Sequence, residues 1–139
     1  MKLVYIASPY SHEDGMVVYE RFAKARDYTA HLMRHTLSTG CVPFSPILHC
    51  HEMAQVNDLP IDHEYWMRVD KTFMRHCDEV WVLMLDGWNE SKGVKMEIEF
   101  AESLMIPVKY CSNDVLKAKM AATWLRRAFN HHETKRSVK

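Results

Sequence analysis

An excess of charge of either sign is missing from this sequence: 18 Lys and Arg stand against 18 Asp and Glu. That balance gives no whole-chain argument for a nucleic-acid or membrane-surface partner and leaves a small neutral or anionic ligand open. Long apolar runs are missing too. Hydrophobic residues make up 47% of the chain, yet no stretch approaches the roughly 18 consecutive apolar residues of a membrane span. Paired cysteines are also lacking. Cys41, Cys50, Cys77 and Cys111 are scattered without a Cys-x-x-Cys pair, so the expectation is reduced, mostly buried thiols rather than a disulfide framework. The start, Met1-Lys2 followed by Leu-Val-Tyr-Ile, has none of the separate regions of a secretory signal and reads as a first strand, which points to the cytoplasm. Internal repeats, low-complexity tracts and interdomain linkers are absent. A chain of 139 residues is long enough for one sizeable core and too short to suggest two, so residues 1–129 are expected to form one domain with 130–139 as a polar tail.

Within that domain, strand-like and helix-like patterns alternate. Leu3 to Ala7 is a continuous apolar run that opens into Ser8-Pro9-Tyr10-Ser11, the pattern of a buried strand ending in a loop. From Val18, residues Phe22, Ala25, Thr29, Leu32 and Met33 recur at helical spacing, and Gly40 stands where a helix should stop. Cys41 to Ser45 reads as a short strand whose proline suits an edge or an end. His49 to Ile61 reads as loop or irregular helix. Trp66, Val69, Phe73 and Cys77 then mark a second helix, and Val80 to Leu85 is the strongest strand, expected at the centre. Val94, Ile98, Ala101 and Met105 share one face of a third helix, Pro107 to Tyr110 follows as a strand, and Val115 to Phe129 as a last amphipathic helix. Alternation of this kind implies a mostly parallel sheet covered on both faces, an α/β three-layer sandwich of the flavodoxin-like or Rossmann-like type. Ligands of such sheets bind beyond the carboxyl ends of the strands, where strand order reverses. The loops after Ala7 and Leu85 are therefore the places to look.

The second of these loops, Asp86-Gly-Trp88-Asn-Glu-Ser91-Lys-Gly93, runs into a helix start. Ser91 suits an N-cap, and the free N–H groups of a helix start attract an anion or a polar ligand edge. Capping and tight packing alone would also account for Ser91 and Gly93. Glu97 falls beside the buried helical face, whereas Glu99 points away. A carboxylate at a core border near such a crevice is poised as nucleophile or base, or else is an ordinary boundary residue paired with a lysine. Asp70 lies inside the apolar stripe of its helix, four residues after Trp66 and three before Phe73. It either is hydrogen-bonded within the site, orienting or protonating a group there, or escapes to solvent at a helix crossing. Ser8 and Tyr10 either bring a hydroxyl and a phenol to the crevice or shape the turn around Pro9. The nine histidines raise a metal reading around His49-Cys50-His51, with Cys41 and His63, but no His-Glu-x-x-His pattern or cysteine knuckle completes a site. No metal or other cofactor is expected. Trp124 and the many methionines fit core or subunit interface better than a cofactor pocket.

Taken in order, Tyr5-Ile-Ala-Ser-Pro-Tyr10, Asp70 ahead of Cys77-Asp78, the strand Val80 to Leu85, and Ser91-Lys-Gly-Val-Lys-Met-Glu97 resemble the nucleoside 2-deoxyribosyltransferase and 2'-deoxynucleoside 5'-phosphate N-hydrolase superfamily. The likeness is strongest to a branch of small bacterial and phage proteins of the DUF1937 type, and it covers roughly the first 110 residues, on motifs that are specific together and weak singly. The resemblance implies cleavage of the N-glycosidic bond of a nucleoside or nucleotide, with Glu97 forming a glycosyl ester. A second base as acceptor would make the chain a transferase, and water would make it a hydrolase. It further implies that Asp70 holds the nucleophile or manages a proton and that Tyr10 lies near the glycosyl centre; Ser8, Pro9, Asp86, Trp88, Ser91 and Gly93 are the expected substrate-binding residues. The equivalent serine of the hydrolase branch helps bind phosphate. That branch also carries an arginine-bearing, glycine-rich loop, and Ser8-Pro9-Tyr10-Ser11-His12 stands in its place, so a phosphate's countercharge would come from Lys92, His12 or a neighbouring subunit. A homodimer or higher homo-oligomer is implied as well. The alternative from another class is a non-catalytic nucleotide-binding module using the same crevice.

Overall fold

The computed structural model describes residues 1–56, 59–60, 62–114, 116–119, 121–122 and 125–126. Four strands, β1 (Lys2–Ala7), β2 (Cys41–Phe44), β3 (Glu79–Met84) and β4 (Val108–Ser112), form one sheet in the order β2-β1-β3-β4. All neighbours are parallel, with Tyr5 opposite Phe44 on one side and Val80 on the other, and Val82 opposite Tyr110. Between them run α1 (Gly15–Arg34), a short α2 (Thr36–Thr39), α3 (Pro46–Ala54), α4 (His63–Met74) and α5 (Lys92–Ser103).

Strand alternation divides the core into two layers. Val4 and Ile6 of β1 and Leu83 of β3 pack with Ala25, Tyr28 and Leu32 of α1, joined by Leu116. Tyr5, Ala7, Val80 and Val82 face the other way, onto Met74 of α4 and Val94 and Ala101 of α5. This sidedness follows from connectivity: β1 to β2 steps one way along the sheet, while β2 to β3 and β3 to β4 step the other, and right-handed crossovers put the helices of opposite steps on opposite faces. Pro43 is tolerated because β2 is an edge strand, paired among the described residues with β1 alone.

Several expectations shift on the structure. The segment from His49 is regular helix as far as Ala54, because Ser45 accepts a hydrogen bond from the Leu48 amide and Pro46 occupies the first turn, where its missing N–H costs nothing. On α4 the buried residues are Met67 and Met74, so the seam runs one position off the aromatic stripe and takes in Asp70 at the helical spacing between them. Phe73 is half-exposed and Met105, with φ 58°, is 90% exposed beyond the end of α5. Gly40 does stop a helix, in the left-handed conformation, but the helix is α2. Of the expected last helix, Leu116–Lys119 is helical, while Val115, Trp124, Phe129 and the tail 130–139 lie outside the described residues. The four cysteines are free. No helix among the described residues is long and apolar enough to cross a membrane.

At the amino ends of the strands, opposite the crevice, Glu79 is buried and accepts from Lys2 Nζ (2.6 Å), Lys109 Nζ (2.7 Å) and Trp81 Nε1 (2.8 Å). It ties β1, β3 and β4 together. Hydrogen bonds from Lys109, Lys2 and Trp81 lower its carboxyl from 4.5 to about 2. The folded value lies below the unfolded one, so the stabilisation is present above pH 4.5 and is lost as pH falls towards 2. The lysines are more than half exposed, which screens the pairs, so most of the loss comes from the hydrogen bonds to the buried carboxylate. Glu79→Gln should therefore lower the unfolding free energy by about 1–3 kcal/mol at neutral pH, with the difference closing in acid. Urea denaturation at both pH values measures this.

Candidate active site

Strand order reverses between β1 and β3, and α5 starts beside that point. Ser91 caps it, accepting from the Val94 amide at 3.4 Å. Two turns of helix then carry Glu97 back over the sheet, onto the face to which Tyr5 points. The Tyr5 hydroxyl donates to Glu97 Oε1 at 2.7 Å, and both residues are buried, Glu97 being 6% exposed. Burial raises the Glu97 carboxyl from 4.5 to about 8; the Tyr5 hydrogen bond works against this and the charge of Asp70 adds to it. Burial likewise lifts Asp70 from 3.8 to about 7. The Tyr5 phenol is pushed well above its ordinary value, first by burial and then by Glu97 and Asp70.

Tyr5 lies behind Glu97, which with Asp70 lines a cavity of about 690 Å³. Its walls come from the β1 exit (Ser8, Tyr10, Ser11), one face of α3 (Ile47, Cys50, His51, Ala54), α4 (His63, Trp66, Met67, Asp70) and the start of α5 (Glu90 to Val94, Glu97). Ser8 Oγ is buried and has no hydrogen-bond partner among the described residues, which makes it a group that a ligand can satisfy. Tyr10 Oη lies 2.6 Å from His51 Nδ1. The mouth is fixed from outside by Arg21 of α1, which donates to the carbonyls of Ser11 (2.7 Å) and Asp86 (3.2 Å). Gly87, at φ 81°, makes room for that guanidinium: a Cβ there would stand 2.6 Å from Arg21 Nη2.

Of the residues put forward from the sequence, Glu97, Asp70, Tyr10, Ser8, Ser91 and Gly93 meet in this cavity, whereas Pro9, Asp86 and Trp88 do not line it. Pro9 is fully buried beneath the turn. Trp88 packs against the core on the α5 side and tilts onto Tyr110, because the loop folds outward before returning to Ser91. Asp86 turns its carboxylate to Asn113 at 3.3 Å and offers only its carbonyl, to Arg21. The phenol that touches Glu97 belongs to Tyr5, not Tyr10. A signal for it was present: a tyrosine inside a buried strand needs a partner for its hydroxyl. The α3 wall is not legible in the sequence, where His49 to Ile61 reads as loop or irregular helix. His49 and His51 diverge, His49 lying against Phe44 and Phe73 and His51 stacking on Phe22. Among the described residues no three His, Cys, Asp or Glu side chains are placed to hold a metal ion.

A parallel sheet in the order β2-β1-β3-β4, with Glu97 and Asp70 in the crevice at its switch point, makes this an α/β domain of the Rossmann-like type. The chain belongs to the family described as domain of unknown function DUF1937, whose model matches residues 2–125. Among solved structures, a 2-deoxyribosyltransferase from the psychrotolerant bacterium Bacillus psychrosaccharolyticus shares the fold with a TM-score of 0.50. That match covers 79% of this chain and 72% of that one at 19% identity. No curated protein matches the chain.

Proposed function

We propose that this protein cleaves the N-glycosidic bond of a deoxynucleoside or its 5'-monophosphate, with Glu97 as nucleophile. The observation that carries the reading is the buried Tyr5–Glu97 hydrogen bond at the wall of the cavity. A carboxylate costly to bury is kept there and oriented by one donor, which suits attack on, or stabilisation of, an oxocarbenium-like carbon. In the forward step the Glu97 oxygen bonds to C1' as the C1'–N bond breaks, and the electron pair leaves with the base. Asp70, lifted by the same burial, supplies the proton to that base in the state of the pair in which Glu97 has given up its own. Water or a second base then takes the sugar from Glu97. The start of α5, with Gly93 and Lys92 on the cavity wall, suits the 5' end of the ligand, since a helix start favours an anion.

The test is incubation with deoxynucleosides and their 5'-monophosphates, with and without an added acceptor base, followed by chromatography for free base. Release from monophosphates without acceptor identifies a nucleotide N-hydrolase, and exchange only with acceptor identifies a transferase. Binding without any base release would sink the catalytic reading and leave a nucleotide-binding module.

A further inference from the structure

The α3 wall of the cavity is apolar but for one group. Ile47, Cys50 and Ala54 recur at helical spacing and present a surface that suits the flat ring of a base, and His51 interrupts them. His51 is held on three sides. Phe22 stacks on the imidazole with centroids 4.1 Å apart, Tyr10 meets it edge-on at 85°, and Gln55 Nε2 stands 3.1 Å from His51 Nε2.

We propose that Tyr10, oriented by His51 and Gln55, sets base specificity in the reaction proposed above, directing its hydroxyl hydrogen into the cavity to select a base that presents a carbonyl over one that presents an amino group. An amide nitrogen can only donate, so His51 Nε2 accepts from Gln55 and the neutral imidazole carries its hydrogen on Nδ1. That hydrogen is donated to Tyr10 Oη across 2.6 Å. The phenol oxygen is then engaged as an acceptor, and its own hydrogen is left to point at whatever fills the cavity that Tyr10 lines. Burial raises the Tyr10 phenol above its ordinary value, so the hydroxyl keeps this hydrogen through the neutral range. His51 and Gln55 are positioning residues, and of the three Tyr10 alone meets the base.

The test compares dissociation constants, by calorimetry, for pairs that differ at one exocyclic group and the ring nitrogen beside it: deoxyinosine against deoxyadenosine monophosphate, and deoxyuridine against deoxycytidine monophosphate. The wild type should favour the carbonyl member of each pair by roughly tenfold or more, the worth of one directed hydrogen bond against an unpaired one. Tyr10→Phe should bring the ratio close to one. Gln55→Glu supplies an acceptor to Nε2, moves the imidazole hydrogen there, and makes Tyr10 donate to His51; at about pH 8, where the hypoxanthine and uracil rings keep their own N–H hydrogens, the preference should reverse. A purely structural role for Gln55 would not produce reversal. A ratio unchanged in Tyr10→Phe, or a wild-type preference for the amino member, overturns the inference. Base release in the same samples reports separately on the glycosidic reading, because the binding ratio needs no turnover.

Discussion

Glu97→Gln is expected to abolish base release while making the protein harder to unfold above neutral pH. The two effects have one cause. As nucleophile, Glu97 supplies an oxygen that an amide cannot replace, so the rate should fall by roughly 10⁴-fold or more. As a buried acid it opposes folding. Its folded value, raised to about 8, lies above the ordinary 4.5, so the fold holds the proton more tightly than the unfolded chain does. The cost is absent below pH 4.5, grows as the unfolded chain ionises, and is complete once pH passes the folded value. At about 1.4 kcal/mol per pH unit, that amounts to something on the order of 3–5 kcal/mol at alkaline pH. Glutamine avoids it and still accepts from Tyr5. Thermal unfolding of both proteins across the range should show the variant ahead at pH 8 and the gap closed near pH 4.5. A variant that is inactive and no more stable at pH 8 would show that Glu97 is not held under desolvation.

Removing the Tyr5 hydroxyl should move the acid limb of the pH–rate profile upward, and removing the Asp70 charge should move it downward. Glu97 must be ionised to attack, so the rate rises with pH through its titration. Tyr5 donates to the carboxylate and favours the ionised form, and Asp70 opposes it. Tyr5→Phe should therefore need higher pH to reach its plateau, and near neutrality it should lose about ten- to a hundredfold in kcat/KM, the worth of a hydrogen bond to a charged group. Asp70→Asn should reach its plateau at lower pH, but at a reduced level if Asp70 is the acid for the departing base. Shifts of the same sign in both variants would contradict the arrangement of the pair.

The sequence was most legible where pattern and burial coincide. Leu3 to Ala7, Val80 to Leu85 and the run from Val94 to Ala101 each carry a periodicity that the parallel sheet and α5 reproduce to within a residue or two at the ends. Glu97 was readable because its helical phase set it beside Val94 and Ala101. Phase also explains what was missed. On α4 the large aromatics drew the stripe, while the smaller Met67 and Met74 occupy the packed seam and Trp66 walls the cavity. Ser45-Pro46 was a helix start hidden behind a short strand, and with it went His51 and the α3 wall. Contacts between distant segments, such as Tyr5 with Glu97 across 92 positions and Arg21 with two loops, leave no trace in local periodicity.

Arg21 holds the mouth by main-chain oxygens alone, at Ser11 and Asp86. Any residue offers the same carbonyl at either place. The side chains there are thus free to drift among related proteins without loosening the entrance, whereas Arg21 and the unobstructed Gly87 beneath it are not, so natural variation should alter what the entrance displays well before it alters its width.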